Sequence, residues 1–395
     1  MRTYLTCVGD ANDPATWSGI PFHFLDAARR RGLIDEGLGL YVSSPAWKLQ
    51  RILWNAATLM RGRRSGGFQY SDSFLERIYG PFQNKLEGSR LINSSSLYPP
   101  SIVRNTTIEK WFYIDMTLRQ LLREYGVAID RRTANEAILR EEEGYRNATG
   151  VLVHSHWAAR SVIEEYGVSA DRVHVAVPGA NFDRDAYREW DESLAATQED
   201  ACRKALRLVF VGKYSHRKGL DRLFAAVHIA RARGASIVLR IIGLDKKDSP
   251  MQWRNEPGIE WHGFLDKRRE ARRFLHAVAE NDLGCLLSRA EAGGIALREF
   301  HALGLPVIGP AVGGSPEHMF SDASVQIAPE TSDNAIAEIL LHLCNDRSVL
   351  ARMREHAWNR RHEALWDATV ARIVKIVPPA VAVPASELQQ GVFVI

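Results

Sequence analysis

Short apolar runs alternate with longer stretches of helical period along most of this chain, and no other feature constrains the fold as much. A run of four to six consecutive apolar residues is a strand buried on both faces. It needs helices packed above and below it, so a repeated run–helix series implies a parallel sheet. The second half shows the series most clearly. Strands are expected at 208–211 (closed by Gly212), 237–242, 284–287 and 306–308, with helices through Leu223, Ala226, Val227 and Ala230 and over 296–303. The first half begins the same way, with a strand at 4–8, a polar glycine-containing loop and a helix over 21–31 stopped by Gly32. Further strands are expected at 151–154 and 173–177.

The chain has 395 residues, too many for one ordinary core and suited to two. Residues 183–204 are charged and lack a strand pattern, which puts the boundary there. The expected division is a Rossmann-like domain over 1–183, a linker over 184–204, a second Rossmann-like domain over 205–360, and a helix and tail over 361–395. Residues 332–377 read as mostly helical, Pro378-Pro379 ends that stretch, Pro384 lies in a weakly structured tail, and the last helix is a candidate to return to the first domain.

Composition narrows the function. Hydrophobic residues at 46% and charged residues at 25% are ordinary for a soluble globular protein, and no run approaches a membrane span. The N-terminus reads as a core strand and not as a signal peptide. Cys7, Cys202, Cys285 and Cys344 lie far apart with no C-x-x-C spacing, which fits a reduced, cytoplasmic setting. The glycosylation triplets at Asn93, Asn105 and Asn147 would then carry no sugar. A net charge of +4 is too mild for a nucleic-acid binder, but it suits a phosphorylated substrate or an anionic membrane surface.

Three segments could carry chemistry. In Ser288-Arg289-Ala290-Glu291-Ala292-Gly293-Gly294-Ile295-Ala296-Leu297-Arg298-Glu299 a strand ends, a glycine turn follows and a helix begins near Ile295. Free backbone N–H groups at a helix start can hold a phosphate. Glu291 in the turn and Glu299 inside the helix could grip hydroxyls at opposite ends of an extended ligand; the same spacing also reads as a plain βα turn. Val211-Gly212-Lys213-Tyr214-Ser215-His216-Arg217-Lys218-Gly219 again follows a strand and opens a helix, with Lys213 and Lys218 placed to neutralise a diphosphate or simply to be solvated. The order of a P-loop is absent. The third is the loop from Gly9 to Pro21, with Gly19 before a helix that begins on proline.

Taken together these segments resemble family 4 of the glycosyltransferases, which have the GT-B fold. The Glu-x7-Glu signature of that family is matched by Glu291 and Glu299. Its following helix and strand resemble residues 299–308, with Gly313-Gly314-Ser315-Pro316-Glu317 just after. Its basic diphosphate site resembles Gly212-Lys213 through Lys218-Gly219, its linking segment Val177-Pro178-Gly179-Ala180-Asn181, and its N-terminal glycine loop Trp17-Ser18-Gly19. The resemblance implies two Rossmann-like α/β domains facing across a cleft. It implies a retaining transfer of sugar from a nucleoside-diphosphate sugar to a hydroxyl of a glycan, a lipid-linked glycan or a small molecule, with no metal and no further cofactor.

The residue roles follow from the same resemblance. Glu299 would bind the ribose hydroxyls and Glu291 the transferred sugar. The amides of Gly293, Gly294, Ile295 and Ala296 would hold the distal phosphate, helped by Lys213 and Lys218, while Gly19 would close on the phosphates from the other domain. The base would lie near Gly263-Phe264-Leu265. Ala292 and Gly293 replace the usual Gly-Phe, and Asp115 stands at the best candidate position for the histidine that many relatives carry. Asp115 could face the sugar or the acceptor hydroxyl, or simply cap the helix beginning near Thr117. A same-fold epimerase, phosphorylase or non-catalytic nucleotide-sugar binder is the alternative.

Three further patterns need weighing. His154-Ser155-His156 resembles a ligand pair but lacks a third ligand, so core or surface histidines are the expectation. Asp183-Arg184-Asp185 mimics a metal-binding D-x-D within the linker. The apolar stretch from Trp47 through Met60 to Arg64, with basic flanks, reads as a core-packed helix or as a helix lying on a membrane surface.

Overall fold

A computed structural model describes residues 1–380 except 42–44, 63, 128, 195–204 and 214–215. Tyr214, Ser215, Cys202, Pro384 and the second half of the expected linker lie outside the described residues. The chain forms two compact units, residues 1–177 with 369 onward, and residues 178–368.

The first unit is built on a seven-stranded sheet of β1 (Thr3–Thr6), β2 (Gly9–Asp10), β3 (Glu36–Leu40), β4 (Arg90–Asn93), β5 (Glu109–Ile114), β6 (Gly150–Val153) and β7 (Val173–Val175). Its order is β2-β3-β1-β4-β5-β6-β7. All pairs are parallel except the short β2–β3 contact. Strands β1, β4 and β6 are buried along their whole length, β6 as a continuous apolar run and β1 and β4 with polar residues at both ends. Cys7 is buried at the end of β1.

The second unit contains β8 (Leu206–Val211), β9 (Ile237–Ile242), β10 (Ile259–Gly263), β11 (Leu283–Cys285), β12 (Val307–Pro310) and β13 (Ser324–Ile327). They form one parallel sheet in the order β10-β9-β8-β11-β12-β13. The order reverses between β8 and β11, and the carboxyl ends of strands at such a reversal are where open parallel sheets bind ligands. Leu208, Phe210, Leu239, Ile241, Cys285 and Ile308 are fully buried in its core, and Cys344 is half-buried.

Two expectations of domain organisation change. Residues 184–194 are a helix (Arg184–Leu194), whose Tyr187 and Trp190 are buried in the second unit's core, with the Tyr187 hydroxyl donating to the Ala302 carbonyl at 2.8 Å. These residues belong to the second unit rather than to a linker, and the boundary falls at Val177/Pro178. The Asp183 carboxylate accepts the Ala186 N–H at 2.9 Å inside the first turn of this helix, and Asp185 pairs with Arg188 at 3.1 Å. At the other end, the chain passes back to the first unit within the helix Trp366–Ile376, where the Thr369 hydroxyl donates to the Val177 carbonyl at 2.7 Å. Among the described residues no helix is long and apolar enough to cross a membrane.

The first unit holds one buried carboxylate of consequence. Helix Arg131–Asn147 turns Glu141 fully inward, where its oxygens accept the Leu118 N–H at 3.1 and 3.0 Å, the Tyr145 hydroxyl at 2.8 Å and the Tyr166 hydroxyl. Leu118 opens the helix Leu118–Glu124, so Glu141 satisfies a first-turn amide that has no partner within its own helix. Burial pushes the Glu141 carboxyl up to about 7 despite these three donors. An unfolded glutamate ionises near 4.5, so between that pH and 7 folding takes up a proton, and this group's stabilisation falls as pH rises and is level above 7. The expected outcome is that wild type minus Glu141→Gln unfolding free energy drops by about 2.5 kcal/mol from pH 5 to pH 7.5. A pH-independent difference in denaturant titrations would contradict it.

Candidate active site

The polar residues of the second unit gather where its strand order reverses. Two backbone hydrogen bonds tie the loop after β8 to the loop after β11: Leu287 N–H to the Lys218 carbonyl at 3.3 Å, and Arg289 N–H to the Arg217 carbonyl at 2.9 Å. Gly219, at φ +71°, makes this approach possible, since a Cβ there would stand 1.9 Å from the Leu287 carbonyl oxygen. The paired loops bring Lys218 onto Glu291. The Lys218 ammonium donates to Glu291 Oε2, which also accepts the Ser288 hydroxyl at 3.1 Å and lies 3.4 Å from the Arg217 guanidinium. Glu291 is 9% exposed, so these donors compensate a carboxylate largely removed from water.

Glu299 lies one turn into helix Ile295–Ala302, 1% exposed, with the Lys267 ammonium donating to its Oε1. Burial raises its carboxyl above the usual range, and Lys267 pulls the other way. The helix itself starts on Gly294 in the left-handed region with no side-chain cap, and the Leu297 N–H closes its first turn on the Gly294 carbonyl at 2.9 Å. Gly293 packs on the His318 ring, its Cβ position only 2.3 Å from the imidazole. Lys213 sits 4.2 Å from the centre of the Phe264 ring, which is 56% exposed just beyond β10.

The structure thus brings Lys218, Glu291 and Ser288 together, pairs Lys213 with Phe264, and pairs Glu299 with Lys267. The Leu265 side chain is buried in the hydrophobic core, beside the exposed Phe264 ring. Ala296 is buried as well and offers only its backbone. Lys267, Arg217 and Ser288 were not singled out from sequence. Lys267 follows Leu265 by two positions and Arg217 precedes Lys218, but neither spacing predicts a carboxylate partner.

In the first unit, Gly19 is the left-handed residue before helix Ile20–Arg30, and Trp17 and Ser18 also have positive φ, at 48° and 59°. Such backbone in non-glycine residues is strained and recurs at ligand-binding loops. The Trp17 indole N–H holds the loop by donating to the Val8 carbonyl at 2.7 Å. Asp115 follows β5 and is half-buried, but it is not the helix cap. Thr117 is, in a reciprocal capping box with Gln120. His154 is buried against Tyr113, and burial pushes its imidazole down to about 3. Ser155 caps the helix His156–Arg160, and His156 is exposed.

Two Rossmann-like units, with phosphate-type features at the reversal of the second sheet, define the GT-B class of proteins. Residues 198–360, about two fifths of the chain, match the family model described as Glycosyl transferases group 1. The D-inositol 3-phosphate glycosyltransferase of Nocardia farcinica is 27% identical over 223 residues, 54% of this chain and 49% of the relative. The chain therefore spans about half the length of that relative. Two solved structures share the fold. WaaG, a glycosyltransferase involved in lipopolysaccharide biosynthesis, is 13% identical with a TM-score of 0.62, covering 95% of this chain and 99% of its own. Anabaena Alr3699/HepE, in complex with UDP and glucose, is 14% identical with a TM-score of 0.61 over 95% and 99%.

The paired loops lead to a stability test. Gly219→Ala combines a left-handed alanine with overlap on a backbone oxygen and should cost about 3 kcal/mol. Gly234→Ala, at φ +95° with nothing within 4 Å, should cost only about 1 kcal/mol. Equal losses in urea unfolding would show that the contact with Leu287 is not what requires glycine.

Proposed function

We propose that the chain is a retaining, metal-independent glycosyltransferase that moves a sugar from a nucleoside-diphosphate sugar to a hydroxyl of a glycan, a lipid-linked glycan or a small molecule. The observation that carries this reading is the cluster at the β8/β11 reversal. Lys218 and Arg217 surround Glu291, and the uncapped start of helix Ile295–Ala302 lies a few residues away in the same loop. Cations and a helix start without a side-chain cap, at the reversal point of a parallel sheet, suit a diphosphate. The UDP and glucose bound to HepE, a protein of the same fold, support a donor of this kind.

On this reading Glu299 takes the ribose hydroxyls, its buried carboxylate accepting their hydrogen bonds beside the Lys267 ammonium. Phe264 lies near the base. Glu291 takes a hydroxyl of the transferred sugar, and Gly293, Gly294, Ile295 and Ala296 offer backbone amides to the distal phosphate with Lys213 and Lys218. Gly19 approaches the phosphates with its own amide, and Asp115 contacts the donor sugar or the acceptor hydroxyl. The bond from the anomeric carbon to the diphosphate oxygen breaks while the acceptor oxygen attacks from the same face. The acceptor proton passes to a diphosphate oxygen, and the nucleoside diphosphate leaves. Fixed donors that stabilise the charge on the leaving diphosphate supply the rate, so no strong protein base is needed.

Glu291 and Glu299 should fail differently on conversion to glutamine. Glu299→Gln is expected to weaken binding of the bare nucleoside diphosphate by about 1.5–3 kcal/mol, as for loss of a charged hydrogen-bond acceptor. Glu291→Gln is expected to leave that affinity near wild type and to lower donor turnover. Calorimetric titration with nucleoside diphosphates and assays of donor consumption separate the two, and equal loss of affinity in both variants would remove the separate roles. Excess EDTA should leave turnover intact, because Lys213, Lys218 and backbone amides meet the phosphate charge. Loss on chelation, restored by magnesium or manganese, would overturn metal independence. Donor consumed without any glycosylated product would favour the epimerase alternative, and nucleotide-sugar binding with no donor consumed would favour the non-catalytic binder.

A further inference from the structure

The helix Pro45–Met60 of the first unit carries apolar side chains on two opposite faces. One face packs inward: the Trp47 ring lies 4.9 Å from Phe68 and 5.3 Å from Phe74, Trp54 lies 5.7 Å from Phe68, and Thr58 is buried. The other face is Leu49, Ile52, Leu53, Ala56, Leu59 and Met60. At about 100° per residue these fall in a stripe on the side of the helix away from the two tryptophans. Leu49, Ile52, Leu53 and Leu59 are 55–60% exposed and Met60 is 82% exposed. They are five of the eleven large apolar side chains exposed among the described residues. Exposed leucines scattered singly need no explanation, but a continuous stripe does.

The charge around the stripe says what covers it. Lys48 lies beside it, Arg51 lies further round the helix, and Arg61 and Arg64 follow its end; all four are exposed. No aspartate or glutamate occurs anywhere from residue 37 to residue 71. None of the four cations has an ion-pair partner among the described residues. A second copy of this chain seated on the stripe would set these cations against one another, since a two-fold contact meets itself. An anionic bilayer complements both features at once, taking the apolar stripe among its acyl chains and the cations at its phosphates. The side chain of Lys48 is long enough to reach the headgroups from beside a buried stripe.

We propose that helix Pro45–Met60 is a membrane-surface helix that seats the first unit on an anionic lipid bilayer, with Leu49, Ile52, Leu53, Leu59 and Met60 inserted and Lys48, Arg51, Arg61 and Arg64 at the headgroups. The helix lies along the surface. This assignment does not depend on the transfer reaction, so its test needs no substrate. The full chain is sedimented with phosphatidylcholine vesicles and with vesicles containing added phosphatidylglycerol. Binding should be at least about tenfold tighter to the anionic vesicles and should weaken in high salt. Ile52→Gln/Leu53→Gln should lose about tenfold or more on anionic vesicles. Lys48→Gln/Arg51→Gln should reduce the preference for them. All four positions are exposed, and far-ultraviolet circular dichroism checks that both variants fold as wild type does. Absence of vesicle binding, equal binding to both vesicle types, or an unaffected Ile52→Gln/Leu53→Gln variant would overturn the proposal. So would a dimer in lipid-free sedimentation velocity that Leu53→Gln dissolves, which would assign the stripe to a second copy.

Discussion

Two backbone hydrogen bonds between the Arg217–Lys218 and Leu287–Arg289 segments organise the candidate site of the second unit. They exist because β8 and β11 are neighbours in the sheet although the intervening chain makes two other strands. Once these loops lie side by side, Lys218 and Arg217 reach a carboxylate more than seventy positions away, and Glu291 can be nearly buried without being left alone. An unpaired carboxylate at that depth would cost several kcal/mol or take up a proton. Glu299 repeats the solution with Lys267. Each carboxylate thus depends on a cation brought to it by the strand order and not by local sequence.

That division explains what could be read in advance. Strands β1, β6, β7, β8, β9, β11 and β12 were legible as short apolar runs, with ends one or two residues from expectation at most, as at Leu283–Cys285, whereas β3, β4, β10 and β13 carry glycines or polar residues that hide the pattern. The βα turns were legible from Gly212, Gly219 and Gly294. Helix Arg184–Leu194 was not, since acidic and basic residues dominate it, yet Tyr187 and Trp190, three apart, carry the helical period that marks a buried face. The cap at Thr117 was also on display, because Thr-x-x-Gln before an apolar run is a capping signature. Lys267 and Arg217 were out of reach for a different reason: their partners are 32 and 74 positions away, and nothing short of the folded sheet relates them.

The family match falls wholly within the second unit, whereas the structural likeness extends over 95% of the chain at 13–14% identity. Cores explain the difference. A buried position accepts many apolar side chains of suitable volume, so a sheet persists while its sequence drifts. Positions that hold a charge or a close backbone approach accept few, and in this chain they cluster after β8 and β11. The first unit has its own fixed points, Glu141 among its tyrosines and the strained Trp17-Ser18-Gly19 turn, but they are few and widely spaced.

The return of the chain to the first unit also sets an order of events during synthesis. Arg90, buried at the start of β4, donates to the Pro378 carbonyl at 2.6 Å, a partner 288 positions later. Val177, the last residue before the second unit, waits likewise for Thr369. The second unit is one uninterrupted segment and has everything it needs once residue 368 has emerged from the ribosome. The first unit, although translated first, spends the whole synthesis of its neighbour with Arg90 lacking its carbonyl partner and Val177 lacking its hydroxyl donor. In this protein the domain made first is the domain completed last.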